Sequence, residues 1–188
     1  EVATVTHLSG PLAARKADGA VKAISIGSKI EEGDTVVTEK RTYARLKFND
    51  GGEVTLKPNS QFMVEKYSFD KEKPKDDSAL FSLIKGGLRT VTGQIGKRGN
   101  QDSYQMNTPP ATLGIRGTIY DAHFCQGSSC GNIAPGLYLA VSNGSVVITN
   151  SAGTQTTLQV MAGQYVYVQS PTTPPVVLPS KPDIPFNP

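Results

Sequence analysis

Arg116 is the lone cation in Thr108-Pro109-Pro110-Ala111-Thr112-Leu113-Gly114-Ile115-Arg116-Gly117-Thr118, and its five N–H donors suit it to gripping carbonyls or a carboxylate. Around it, Pro109 and Pro110 fix φ and cannot donate to a ladder, while Gly114 and Gly117 permit positive φ or close backbone approach. The run reads as a shaped corner between strands. Arg116 then has two uses open to it: hydrogen-bonding buried carbonyls to lock the corner, or meeting a partner.

Cys125 and Cys130, the two cysteines of the chain, flank Gln126-Gly127-Ser128-Ser129, a run of turn formers that brings them face to face. A disulfide closing so short a loop contributes about 2 kcal/mol in the chain-entropy model and requires an oxidising compartment. Strand alternation puts Asp121 and His123 on the face of Cys125. A zinc site usually shows a second Cys or His pair, which is missing here. The expectation is therefore a disulfide, no metal and no cofactor.

Catalysis finds little to work with. His7 and His123 are the two histidines, and there is no Gly-x-Ser-x-Gly elbow. Gly93-Gln94-Ile95-Gly96-Lys97-Arg98-Gly99 is glycine-rich and basic but lacks the Lys-Ser/Thr ending of a phosphate-binding loop, so it reads as a hairpin loop. Glu31 and Glu32 are adjacent, so on a strand they face opposite sides. The chain is expected not to be an enzyme.

The elements that must position these residues are strands. Tyr43 to Phe48 alternates apolar and polar side chains, Asn49-Asp50-Gly51-Gly52 supplies a hairpin turn, and Glu53 to Leu56 returns. Further strands are expected at 2–8, 62–67, 119–125, 137–142, 145–149, 156–160 and 165–169, with Asn143-Gly144 as a two-residue hairpin turn; 79–85 reads as one short helix or a buried strand, and Gly86-Gly87 ending it favours the strand. Residues 70–77, charged and containing Pro74, read as a solvated loop. Gly10, Gly19, Ile24 and Ile26 recur in spacing as Gly144, Gly153, Leu158 and Val160, which suggests pseudo-symmetric β layers near the two ends. The expected fold is all-β, with a β-solenoid-like or sandwich-like body of many short strands and very little helix. The body covers residues 1–170. From Pro171 on, seven prolines preclude a continuing sheet, leaving a linker or a strap over 171–188 that Val176, Val177, Leu178, Ile184 and Phe186 would anchor.

Charge narrows the function classes. The net charge of +3 comes from alternating signs in the first half, with no basic stripe and no tryptophan, which argues against nucleic acid. No run of about 18 apolar residues is present to span a membrane. Between Arg116 and Lys181 the sole charged residue is Asp121, so that part offers an uncharged β surface of the kind edge charges normally keep apart. It reads as an ordinary secreted surface, or as a face for a protein or neutral glycan.

The stretch from Thr108 to Thr118 resembles the signature of the FecR-type domain, a bacterial cell-envelope module. The resemblance extends, in order, through Gly33-Asp34-Thr35-Val36-Val37-Thr38, Ala44-Arg45-Leu46-Lys47-Phe48-Asn49-Asp50-Gly51-Gly52, Leu56-Lys57-Pro58-Asn59-Ser60 and Lys85-Gly86-Gly87-Leu88-Arg89-Thr90-Val91-Thr92-Gly93. It covers about Val5 to Phe124, more loosely to Gln169, and implies an all-β coil of short strands. It marks Thr108, Pro109, Gly114, Arg116, Gly117 and Thr118 as the motif, structural or partner-binding. The family's best-known members act in the periplasm, sensing an outer-membrane transporter's signalling domain and controlling a cytoplasmic sigma factor. This chain shows no anti-sigma segment, transmembrane helix or second signalling domain. The expectation is a periplasmic or secreted, non-catalytic module recognising an envelope protein in signalling or assembly. The alternative is a peptidoglycan- or polysaccharide-binding module in which Tyr138, Tyr165 and Tyr167 stack on sugar rings, Tyr165 and Tyr167 sharing a strand face.

Overall fold

The computed structural model describes residues 1–184, and its elements are almost all strands. They are β1 (Ala3–Leu8), β2 (Leu12–Arg15), β3 (Val21–Ile24), β4 (Lys29–Ile30), β5 (Thr35–Thr38), β6 (Ala44–Phe48), β7 (Glu53–Leu56), β8 (Gln61–Ser68), β9 (Ser78–Val91), β10 (Tyr104–Asn107), β11 (Ala111–Cys125), β12 (Gly136–Asn150), β13 (Thr157–Met161), β14 (Tyr165–Val168) and β15 (Val176–Val177). A 3-10 turn at Pro74–Asp76 is the helical element among the described residues, and no helix there is long and apolar enough to cross a membrane.

The strands form one continuous sheet, not closed into a barrel, that folds into two layers. One layer runs β4-β1-β6-β7-β9-β11-β12-β14-β15, the other β3-β2-β5-β8-β9-β10-β11-β12-β13. The long strands β9, β11 and β12 belong to both and exchange neighbours midway. Sheet-switching strands need a bend or bulge at the corner. Here the bends fall at glycines with φ of +80° (Gly86), +58° (Gly117) and +73° (Gly144), a region open to Gly at little cost. The break at Gly10 and Pro11 does the same between β1 and β2.

Alternation fills the space between the layers. Val5, Leu46, Leu88, Tyr120 and Leu139 of the first layer and Leu12, Phe62, Met106, Leu113 and Ile148 of the second are all at most 4% exposed and belong to one cluster. Phe48 of β6 sits 5.0 Å from Phe81 of β9 and 6.5 Å from Phe62 of β8, ring centre to ring centre, closing the gap between the layers.

The internal repeat is present as geometry. Gly27 donates its N–H to the Val5 carbonyl at 2.8 Å, and Gly163 donates to the Val141 carbonyl at 2.8 Å. Ala3 pairs with Ile30 as Leu139 pairs with Val166. The return strands sit differently from the spacing of the glycines: Leu12 faces Ile24 while Val146 faces Val160, so Ile24 corresponds to Val160 and not to Leu158.

Three local expectations are corrected. Asn143-Gly144 is no hairpin turn, because β12 runs straight through it as a bulge opposite Gly117. Gly86-Gly87 does not end its strand but bends it. The 108–118 run is a tight turn followed by strand from Ala111 onward, with its bend at Gly117. In the first two cases a dipeptide that would close or end an isolated strand sits inside one long enough to cross both layers.

Residues 171–184 lie against the body. The prolines do not exclude the segment from the sheet as expected: Val176 and Val177 add β15 to the edge of β14, an edge position being where nearby prolines are tolerated. Ile184, 3% exposed, enters a second cluster with Cys125, Tyr138 and Ala140, bordered by Leu178. The anchor expected at Phe186, with Pro185 and Pro188, lies outside the described residues.

Candidate functional site

The motif residues separate into a buried frame and an exposed cation. Thr108 closes a turn over Pro109 and Pro110: its N–H and hydroxyl donate to the Ala111 carbonyl at 2.9 and 2.7 Å, and the Ala111 N–H donates to its Oγ1 at 3.1 Å. Thr118, 1% exposed, is held from both sides. Its N–H donates to Thr92 Oγ1 at 3.0 Å, Thr92 Oγ1 donates back to the Thr118 carbonyl at 2.6 Å, and Thr118 Oγ1 donates to the Ser145 carbonyl at 2.6 Å. These bonds satisfy backbone groups that the double bulge at Gly117 and Gly144 would leave without ladder partners.

Arg116 departs from one of the two uses open to it. It is exposed, and no hydrogen bond or ion pair reaches it from the described residues, so it does not lock the corner through buried carbonyls. The locking falls to Thr92 and Thr118. Lys97 lies alongside, its Cγ against Gly117, and with Arg116 borders a shallow cleft over the 96–101 loop. Arg98 in that loop turns inward instead. It pairs with Asp77 at 2.9 Å, donates to the Asp70 and Lys71 carbonyls and covers the Phe69 ring. Gly114 shares the face of Arg116 by alternation. It has no positive φ, and a Cβ there would meet nothing closer than 3.8 Å, so the fold does not demand this glycine. A strand glycine without a backbone reason leaves room for another backbone to come close.

A residue the sequence reading passed over as turn material is Asp50. It is 6% exposed, and its carboxylate accepts from the N–H groups of Gly52 and Ile95, each at 3.0 Å. Its carbonyl takes the Gln94 N–H at 3.1 Å and its own N–H donates to the Tyr67 hydroxyl at 3.0 Å. Asp50 thus ties the 93–99 loop to the hairpin. The signal lay in Asn49-Asp50-Gly51-Gly52, where an Asp side chain suits bonding to backbone two residues on.

Behind this frame lies an internal charge cluster. Asp121, 2% exposed at its side chain, accepts from Arg89 at 2.6 Å and faces the Lys57 ammonium at 3.7 Å. Burial pushes the Lys57 ammonium down to about 8, opposed by Asp121, and pushes the Asp121 carboxyl up, opposed by Lys57 and Arg89. His123, on the same strand face, rests against Gly87, where any Cβ would strike its ring. Its Nδ1 is buried without a hydrogen-bond partner, and burial holds it down to about 4.

That histidine gives a pH prediction. Between its ordinary pKa of 6.5 and about 4, the unfolded chain takes up a proton that the native imidazole refuses, so stability falls as pH drops through that window. The loss is about 3 kcal/mol when complete. Asp121, raised in the folded state, works in the opposite sense. Urea unfolding at pH 7.5, 5.5 and 4.5 should show a steeper decline for the native sequence than for His123→Phe. Parallel declines would contradict the assignment.

Cys125 and Cys130 are joined to each other, with Cα atoms 5.5 Å apart. The tyrosines proposed for sugar stacking are turned to structural use. Tyr138 is 6% exposed, lies 4.7 Å from the Tyr167 ring and donates to the Ala134 carbonyl at 2.8 Å. Tyr167 donates to the Pro135 carbonyl at 2.5 Å, and Tyr165 packs with it in the cluster that holds Ile184. Tyr138 therefore offers no open ring face for a sugar.

The family model for the FecR protein matches residues 34–164, starting later than the resemblance seen from Val5. No curated protein matches the chain. Two crystal structures, at 1.65 and 2.50 Å resolution, of a protein from Parabacteroides distasonis ATCC 8503 assigned as an anti-sigma factor are similar in fold. Each has a TM-score of 0.54 and 11% identity, over 77% of this chain and 58% of that one. This chain thus spans less than two thirds of the length of that neighbour. At 11% identity the likeness is one of fold.

Proposed function

Because the chain belongs to the FecR protein family, we propose that it is a non-catalytic recognition module of the bacterial cell envelope, serving signalling or assembly by docking a protein partner on the face around Arg116. One observation carries the reading. Within the motif, the threonines and Gly117 are committed to the fold, while Arg116 is turned to solvent without a partner among the described residues and shares its strand face with an unforced glycine at Gly114. A guanidinium held on a stiff strand loses little freedom on binding a carboxylate. The disulfide between Cys125 and Cys130 supports a periplasmic or secreted location, since such bonds persist in oxidising compartments. Fold neighbours assigned as anti-sigma factors support a role in regulation.

The reading is tested with Arg116→Glu and Lys97→Glu together. Affinity capture from an envelope extract should retain a discrete protein on the native chain and lose it on the double variant. Both chains should melt within about 2 °C of each other, because exposed substitutions without partners change stability little. Equal retention on both would remove Arg116 from recognition.

A further inference from the structure

A second concave surface lies away from the motif face. The turn at Lys40 and Tyr43, the 57–59 segment, the bend at Lys85 and Gly86, and the strand end at His123 and Phe124 enclose a cleft of about 540 Å³, with Gln126 and Ser129 of the disulfide loop at its margin. That volume falls within the range of small-ligand sites.

Its lining is chemically one-sided. Lys40, Lys57 and Lys85 all face it, and among the described residues no carboxylate lines it. Lys57 lies at the floor, 4% exposed and paired with Asp121 behind it. Lys40 and Lys85 stand exposed at the rim. Tyr43, 38% exposed, and Phe124 supply ring surface. Asn59, Gln126 and Ser129 supply amides and a hydroxyl, which donate and accept.

The walls are fixed in advance. Ser60 Oγ donates to the Gly87 carbonyl and accepts from the Gly87 N–H, both at 3.0 Å, joining the 57–60 segment to β9. The disulfide closes the loop carrying Gln126 and Ser129. Asn59, which lines the cleft, has left-handed backbone at φ +56°, and so does Arg41 at φ +61°, which follows the lining residue Lys40 in the chain. Unfavourable backbone held by its surroundings gathers at ligand sites.

We infer that this cleft binds an acidic sugar: a saccharide unit whose carboxylate is held by Lys40 and Lys85, whose ring packs on Tyr43, and whose hydroxyls meet Asn59, Gln126 and Ser129. The cations select the charge, the aromatic ring selects a body with a C–H face, and the amides select hydroxyls. The inference is independent of the docking face around Arg116, since it shares no residue with it.

Calorimetric titration of the full chain with glucuronate, glucose and inorganic phosphate tests it. Glucuronate should bind saturably, with glucose and phosphate each at least about tenfold weaker, a difference of about 1.4 kcal/mol or more. Lys40→Glu with Lys85→Glu should weaken glucuronate by at least about tenfold, more so at low salt. Tyr43→Ala, which leaves every charge in place, should weaken it too, and Arg116→Glu should not. Phosphate binding as well as glucuronate would mean an adventitious ion only and overturn the sugar assignment. Equal binding of glucose, no saturable binding of glucuronate, or indifference to the lysine changes would overturn the site. Unchanged melting temperatures of the variants keep each outcome interpretable.

Discussion

Gly144→Ala is expected to destabilise the protein by about 3–5 kcal/mol, within the range reached by backbone strain and overpacking together. Gly144 has φ +73°, where an L side chain costs about 1–2 kcal/mol by itself. Its added Cβ would also run into the carbonyl oxygen of Gly117 on the facing strand, with Thr118 Cα next to it. Neither strand can give way. Thr118 is tied to Thr92 and to the Ser145 carbonyl, and Tyr120 and Val146 on either side are fully buried. Gly114→Ala on the same strand pair is the control: φ is ordinary and the nearest atoms are 3.8 and 3.9 Å away. It should change stability by no more than about 0.5 kcal/mol. Denaturant unfolding of the two variants settles the matter, and similar losses for both would show that the crossing at Gly117 and Gly144 is not the rigid point described.

Asp50→Ala should cost a comparable amount, about 3–5 kcal/mol. The substitution leaves the N–H groups of Gly52 and Ile95 in a buried setting without acceptors, and each such orphan costs about 1–3 kcal/mol. Asp50→Asn keeps one acceptor oxygen and should fall between the two. The consequence reaches beyond stability. The 93–99 loop is anchored through Ile95, and Lys97, the cation beside Arg116, stands two residues on. Amide hydrogen exchange across 93–99 should accelerate in Asp50→Ala well before global unfolding, as expected of a locally released segment. Unchanged protection there, with a global loss under about 1 kcal/mol, would contradict the anchoring role.

Much of the fold was legible because alternation leaves its mark on sequence. The hairpin of β6 and β7, the strands bearing Phe62 and Val64, and the repeated glycine turns at Gly27 and Gly163 were readable from period-two patterning and turn chemistry. What escaped was the length of β9, β11 and β12. A Gly-Gly or Asn-Gly pair has the same local signature whether it closes a hairpin or bends a strand between layers, and only the partner strand decides. Gly144 became a bulge because Gly117 faces it. The site was legible in its membership and not in its division of labour. Arg116 stood out as the cation of the motif, but the carbonyl of Thr118 at the corner is bonded by Thr92, which lies twenty-six residues earlier and outside the motif. Tyr138 and Tyr167 looked available for stacking because Ala134 and Pro135, whose carbonyls accept from their hydroxyls, carry no signature of that use.

The central claim is that the face of β11 and β12 around Arg116 meets a protein. Its most direct test is site-specific photocrosslinking. A photoreactive residue at Ser145, which pairs in register with Arg116, is irradiated in intact envelope and compared with one at Thr172, on the segment after the last long strand. The account predicts a discrete heavier adduct from position 145 that vanishes when Arg116→Glu is added, and none from position 172. Adducts of equal yield from both positions, or none from 145 in a folded protein, would contradict it.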